Sequence, residues 1–249
     1  MTGSRTYEAW HEHLTVALPG AQVVFTTRRG GFSDGPFQSL NLGRLTDDRP
    51  DAVTANRRRL QEQTGRRLAI VRQVHGPVVH VADGGWPAVD GSGPVHLREG
   101  DGVVTDRSDL APTVLVADCL PVALAGSGAG AMLHAGWRGL ASGVLEEGVR
   151  LLRERTPDGV IAAAIGPGVG VCCYEVGEEV HRAFAPYGAI VRRGQNLNLR
   201  AVAQIRLERA GVEVMHDVDL CTSCSPELFF SHRRDRGVTG RQAGVMWLR

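Results

Sequence analysis

Short apolar runs, rather than long amphipathic stripes, dominate the pattern along this chain. Gln22–Thr27, Leu68–Val74, Val78–Ala82, Gly102–Thr105, Thr113–Ala117, Val122–Ala125, Ala131–Leu133, Val160–Ile165 and Gln242–Leu248 are only a few residues long and rich in Val, Leu, Ile and Ala. That pattern suits buried strands. Apolar positions at helical spacing predict helices over Pro50–Gln63, Leu140–Arg155, Val176–Ala185 and Leu199–Ala210. In Leu140–Arg155 the apolar stripe is Leu140, Val144, Leu151 and Leu152; arginines fill the last turn and Pro157 follows. Arg29–Pro36 and Gly84–Gly100 carry the glycine and proline of loops. Strands and helices alternate irregularly, with several hairpin-length gaps. The expected fold is therefore α+β (mixed α/β): one domain over 1–249, with mixed β-sheets packed against helices, and 1–20 as a peripheral N-terminal segment.

Composition narrows the class without naming an activity. A hydrophobic fraction of 43% with 22% charged residues describes a soluble globular chain. The net charge of +1 supplies no field that would draw it to nucleic acid or to a membrane. No apolar run reaches the roughly 18 residues of a spanning helix. The N-terminus lacks the basic-then-apolar pattern of a secretory leader. With five cysteines, an odd number, the chain reads as cytoplasmic with reduced thiols. No pattern in it specifies an oligomeric state.

One count cuts deeper. All 28 Lys+Arg positions are arginine. Without lysine there is no Schiff-base chemistry, no phosphate-loop lysine and no kinase-type ATP lysine. Any anion bound here must be held by arginine, backbone N–H groups or a metal. Arg28 precedes a double glycine, Arg72 lies three residues before His75, and Arg138 opens the long predicted helix, where an anion could sit. Arg233, Arg234, Arg236 and Arg241 form a basic cluster that Asp235 interrupts, and read as a solvated turn.

Three of the predicted strands deliver metal-ligand side chains. Leu68–Val74 leads to His75, Thr113–Ala117 to Asp118 and Cys119, and Ala131–Leu133 to His134. Two imidazoles and a thiolate make a three-ligand zinc set with a fourth position open. The same Cys119 and His134 also suit a thiolate–imidazolium nucleophile pair. Asp118, on the opposite strand face from Cys119 by alternation, is not required at either site. Cys221-Thr-Ser-Cys224 admits a redox reading, a zinc reading with Cys172 and Cys173, or plain packing of thiols in a small core. Vicinal Cys172 and Cys173 count against one tetrahedral ion, so packing is the expectation. His11-Glu12-His13 reads as solvated; His80, His96, His181, His216 and His232 read as structural.

R-Q-V-H-G (72–76), D-G-V-V-T-D (101–106), A-D-C-L-P (117–121), H-A-G-W-R-G (134–139), G-P-G-V-G-V-C-C-Y-E-V (166–176) and C-T-S-C-S-P-E-L-F-F-S-H-R-R-D (221–235) together closely resemble the YfiH-like family. Its members carry the names laccase-domain or multicopper polyphenol oxidase and purine nucleoside phosphorylase. The likeness runs from about Phe25 to Trp247, with the motifs in the family's order. It implies the family's single α+β domain, related to the cytotoxic necrotizing factor fold, and a zinc held by residues matching His75, Cys119 and His134. It further implies phosphorolysis of adenosine, inosine and S-methyl-5'-thioadenosine, with purine nucleoside and phosphate as substrates and adenosine deamination alongside. Arg28 and Asn41 fall in the family's T-R-x-G-G and S-L-N-L-G segments and, with Arg138, are the expected substrate or phosphate contacts. Two positions depart from the family: Leu45 stands where a histidine is common, and Asn198 where an acid precedes the late helix.

Two other activities compete. A cysteine amidase editing peptidoglycan precursors would use Cys119 as nucleophile and His134 as base. The 15-residue gap between them (134 − 119) is similar to that of the cytotoxic necrotizing factor deamidases. Copper-dependent polyphenol oxidation is the weaker candidate. Multicopper centres need about ten histidines, largely in H-x-H pairs, whereas the chain has nine and its only H-x-H is His11–His13.

Overall fold

The computed structural model describes residues 7–87, 97–157 and 159–249. In chain order the elements are β1 (Glu8–Trp10), β2 (His13–Leu18), β3 (Ala21–Phe25), α1 (Pro50–Thr64), β4 (Arg67–Ile70), β5 (Val79–Val81), β6 (Gly102–Thr105), β7 (Leu110–Val116), β8 (Leu120–Gly126) and β9 (Ala129–Ala135). There follow α2 (Trp137–Ser142), α3 (Val144–Arg153), β10 (Ala162–Ile165), α4 (Glu178–Ala183), β11 (Arg192–Arg193), β12 (Asn196–Leu197), α5 (Leu199–Arg209), β13 (Val214–Asp217) and β14 (Gln242–Leu248). His96 and most of the Gly84–Gly100 loop lie outside the described residues.

Two six-stranded mixed sheets stack between helices. The first runs β1-β2-β3-β14-β7-β4 and the second β13-β10-β8-β9-β6-β5. Strand alternation explains the layering. Along β8, Leu120, Val122 and Leu124 point to the helical layer with Leu140, Leu145 and Val202, while Ala123 and Ala125 point to the first sheet. Met132, Val23, Phe25, Val114 and Met246 fill the space between the sheets. On the far side of the first sheet, Leu60 of α1 packs against Leu68, Ile70 and Val245. The inner strands β8, β9 and β10 are buried on both faces, which is why they read as continuous apolar runs.

Three expectations change. The helix predicted over Leu140–Arg155 is two helices, because Gly143 is left-handed (φ 95°) and its N–H donates back to Leu140 O at 3.2 Å. Residues 8–18, expected at the periphery, do take the sheet edge, yet Val16 and Leu18 are buried in the inter-sheet core. Within them His13, expected in solvent, is buried and accepts a hydrogen bond from Thr27 N on Nδ1 at 3.3 Å. Asn198, the departure before the late helix, caps α5 by accepting from Ala201 N, so the capping role survives the loss of the acid.

Candidate metal centre and cavity

His75, Cys119 and His134 come from three turns that meet at one cavity. The chain leaves β4 at Ile70 and reaches His75 in a left-handed backbone (φ 62°). Asp101, fully buried just before β6, holds that turn: its carboxylate accepts from Val74 N (3.1 Å), His75 N (2.9 Å) and Gly76 N (2.7 Å). Between β7 and β8 the left-handed Asp118 (φ 95°) interrupts strand alternation, so Asp118 and Cys119 border the same cavity, contrary to the alternation argument. Asp118 accepts from Thr222 Oγ1 and from Arg233 N at 2.7 Å, tying this turn to the segment before β14. On β9, His134 shares the parity of Met132 and faces away from the helical layer.

The ligand atoms of the three side chains all lie within 4.8 Å of one another. The two imidazoles meet edge to face at 4.8 Å between centroids. A Cβ on Gly136 would stand 3.0 Å from Cys119 Sγ and 3.1 Å from His75 Cδ2, so glycine is what lets thiol and imidazole close up here. Asp101 also pairs with His134 Nδ1 at 2.7 Å. That bond orients the ring and leaves Nε2 for a metal. Burial pushes the Cys119 thiol up, but the charge of His134 and hydrogen bonds from both histidines bring it down to about 6. Burial likewise lowers His134, while Cys119 and Asp101 raise it to about 9. A thiolate, two imidazoles and a carboxylate orienting one of them fit a zinc-type ion with one position open. A polarised Cys–His pair is also the start of nucleophilic chemistry.

The cavity holds about 750 Å³. Its wall carries five arginines: Arg44, Arg57, Arg72, Arg233 and Arg241. Arg57 is buried; its Nε donates to Leu42 O at 2.8 Å while Nη1 has no partner. Burial, then the nearby Arg44, pull its guanidinium down to about 9, which still leaves it charged at neutral pH. Arg72 is paired with Glu99 at 2.7 Å. Arg233 lies 4.9 Å over the Tyr174 ring, and both border the cavity. Burial raises the Tyr174 phenol to about 12, so it stays a hydrogen-bond donor.

Of the expected substrate contacts, none borders this cavity. Arg28 donates to Gln38 O (2.7 Å) and Pro226 O (3.0 Å) and lies over Phe230. Arg138 is exposed over the Trp137 ring. Asn41 is fully buried, donating to Thr46 Oγ1 and Asp48 Oδ2 and accepting from Gly43 N and Arg241 N. The 233–241 cluster, expected as a solvated turn, instead supplies Arg233 and Arg241 to the cavity wall, with His232. Asp101 carried a signal, since it opens the D-G-V-V-T-D motif; Arg57 and Arg241 carried none.

Residues 22–249 match the family described as multi-copper polyphenol oxidoreductase laccase. The chain belongs to this family. A protein of Streptomyces coelicolor named purine nucleoside phosphorylase is 42% identical over 240 residues, 92% of this chain and 96% of that protein. An Escherichia coli family member with the same name, YfiH, is 36% identical, covering 92% and 94%. The crystal structure of YlmD from Geobacillus stearothermophilus superposes with a TM-score of 0.91 at 32% identity, over 99% of this chain and 100% of that one. The family fold is therefore the mixed α/β domain described above. Among the described residues no helix is long and apolar enough to cross a membrane.

Proposed function

We propose that this chain is a zinc-dependent purine nucleoside phosphorylase acting on adenosine, inosine and S-methyl-5'-thioadenosine, with adenosine deamination as a side activity. The observation that carries the reading is a three-donor site in the lining of an arginine-walled cavity. The names of the relatives support the same activity.

When bound, zinc would supply Lewis-acid stabilisation of developing negative charge beside His75, Cys119 and His134. Everything else falls to the chain. Arg57 and Arg241, both in the cavity wall, are the groups suited to hold phosphate where no lysine exists. Asp101 keeps His134 in one tautomer. Tyr174 retains its proton and can donate a hydrogen bond to the purine as the glycosidic bond lengthens. Ile70, Val71 and Leu97 give the cavity an apolar lining, and exclusion of water by bound substrate there would favour phosphorolysis over hydrolysis.

The polarised Cys119–His134 pair supports a second reading, a cysteine amidase editing peptidoglycan precursors. Copper-dependent polyphenol oxidation is the third and weakest. Metal-stripped and zinc-loaded protein should be assayed for phosphate-dependent release of hypoxanthine from inosine, with release expected only after loading. Absence of release from the loaded protein, with turnover of an acylated muropeptide precursor that thiol alkylation blocks, would select the amidase. Oxidation of a phenol only after copper loading would select the oxidase.

A further inference from the structure

The loops after β10 and β13 bring the remaining four cysteines together. Cys172 and Cys173 lie in a turn closed by Cys173 N donating to Gly170 O at 2.9 Å; Cys221 and Cys224 lie in a turn rather than the helix a redox pair would open. Their sulfurs all fall within 4.8 Å of one another, with Cys224 Sγ at 3.5 Å from Cys172 Sγ and 3.4 Å from Cys173 Sγ. Cys172 and Cys224 are exposed and the other two half-buried, so this is not a small core of packed thiols. From these contacts we infer a second metal site: a tetrahedral four-thiolate centre, suited to zinc, separate from the His75–Cys119–His134 trio.

The geometry favours a metal over a disulfide. With zinc–sulfur bonds of about 2.3 Å, tetrahedral sulfurs sit about 3.8 Å apart, close to the separations seen. Cys224 is nearly equidistant from two partners, so no single disulfide accounts for both contacts, whereas an ion takes all four. The vicinal pair is no obstacle, because the turn at Gly170–Cys173 directs both sulfurs to the same point. The backbone also supplies thiolate donors: Gly170 N donates to Cys221 Sγ at 3.2 Å. A Cβ on Gly170 would stand 3.1 Å from Cys172 Sγ and from Cys221 Cβ, so the cradle is shaped around the sulfurs.

Such a centre would clamp the loop carrying Tyr174 to the segment carrying Arg233, two residues that stack in the cavity wall. The two loops already share backbone bonds, Thr222 N to Gly168 O at 3.0 Å among them. The metal would fix the remaining side of the junction.

The test uses wild-type protein, reduced, stripped of metal and handled without oxygen. Zinc should protect Cys172, Cys173, Cys221 and Cys224 from alkylation, mapped residue by residue by mass spectrometry. Alkylation of these four at the same rate with and without zinc overturns the proposal, as does their recovery as disulfides from protein isolated under reducing conditions. Separately, H75A/C119S protein, which keeps the cluster, should take up one Co2+ per chain with strong thiolate-to-cobalt charge-transfer absorption that zinc abolishes. Adding C172S/C224S should remove that signal. A folded H75A/C119S protein that binds no cobalt also overturns the proposal.

Discussion

Asp101 is the residue on which the candidate centre turns, because one buried carboxylate satisfies three backbone N–H groups and the Nδ1 of His134. Asp101→Asn would replace one accepting oxygen with an amide that opposes those donors. Metal affinity should fall by about 10–100-fold, the usual effect of losing an orienting partner, measured by chelator competition. His13 gives a prediction of a different kind. Burial holds its imidazole down to about 4, against about 6.5 in an unfolded chain. Between those values the unfolded state takes a proton that the folded state refuses, so stability falls as pH drops from 6.5 toward 4, by up to about 3 kcal/mol. Urea unfolding across that window should show the slope, and His13→Leu should flatten it. At this scale the sequence was partly legible. His75, Cys119 and His134 stood out because each follows an apolar strand, but burial of His13 was invisible inside a run of polar neighbours. The free donor on Arg57 was equally hidden, since its surroundings come from other segments.

Elements followed the apolar pattern closely where both faces are buried and less closely where one glycine decides. β6 and β14 match their expected limits, because apolar runs between turn residues leave little choice of register. The break between α2 and α3 rests on Gly143 alone, in a window whose apolar stripe continues across it. Gly143→Ala must force a Cβ into φ 95° and should destabilise the protein by about 1 kcal/mol or more. An uninterrupted helix formed without loss of stability would show that the break is not required. Asn198 allows a paired comparison at the start of α5. Asn198→Ala should cost about 1 kcal/mol through loss of the cap, whereas Asn198→Asp restores the acid and should be neutral or mildly stabilising. Thermal unfolding of the two variants distinguishes capping from any role of the missing acid.

In the whole molecule the cavity joins parts of the chain that are far apart in sequence, and this is what no local pattern could reveal. Asn41 and Arg241 are 200 residues apart, yet Asn41 Oδ1 accepts from Arg241 N at 2.8 Å and from Gly43 N at 2.9 Å. Its amide nitrogen donates to Thr46 Oγ1 and to Asp48 Oδ2, each at 2.9 Å. Gly43, Thr46 and Arg241 border the cavity, whereas Asn41 lies beneath it. On the proposed phosphorylase reading, Asn41 acts on substrate through the residues it positions. Removing its side chain leaves buried N–H groups without an acceptor, a cost of about 1–3 kcal/mol in stability. If Arg241 holds phosphate, Asn41→Ala should also raise KM for phosphate by about tenfold, some 1.4 kcal/mol, with a smaller change in kcat. A merely structural role would lower stability without singling out phosphate. The charge pattern offers a sharper control. Asn41→Asp keeps both accepting roles but sets a carboxylate against Asp48, and should be as damaging as alanine. Asn41→Asp combined with Asp48→Asn exchanges donor and acceptor across the same 2.9 Å contact, and should bring KM for phosphate back toward the wild-type value. A double variant no better than Asn41→Asp alone would mean that the contact does not govern where Arg241 sits.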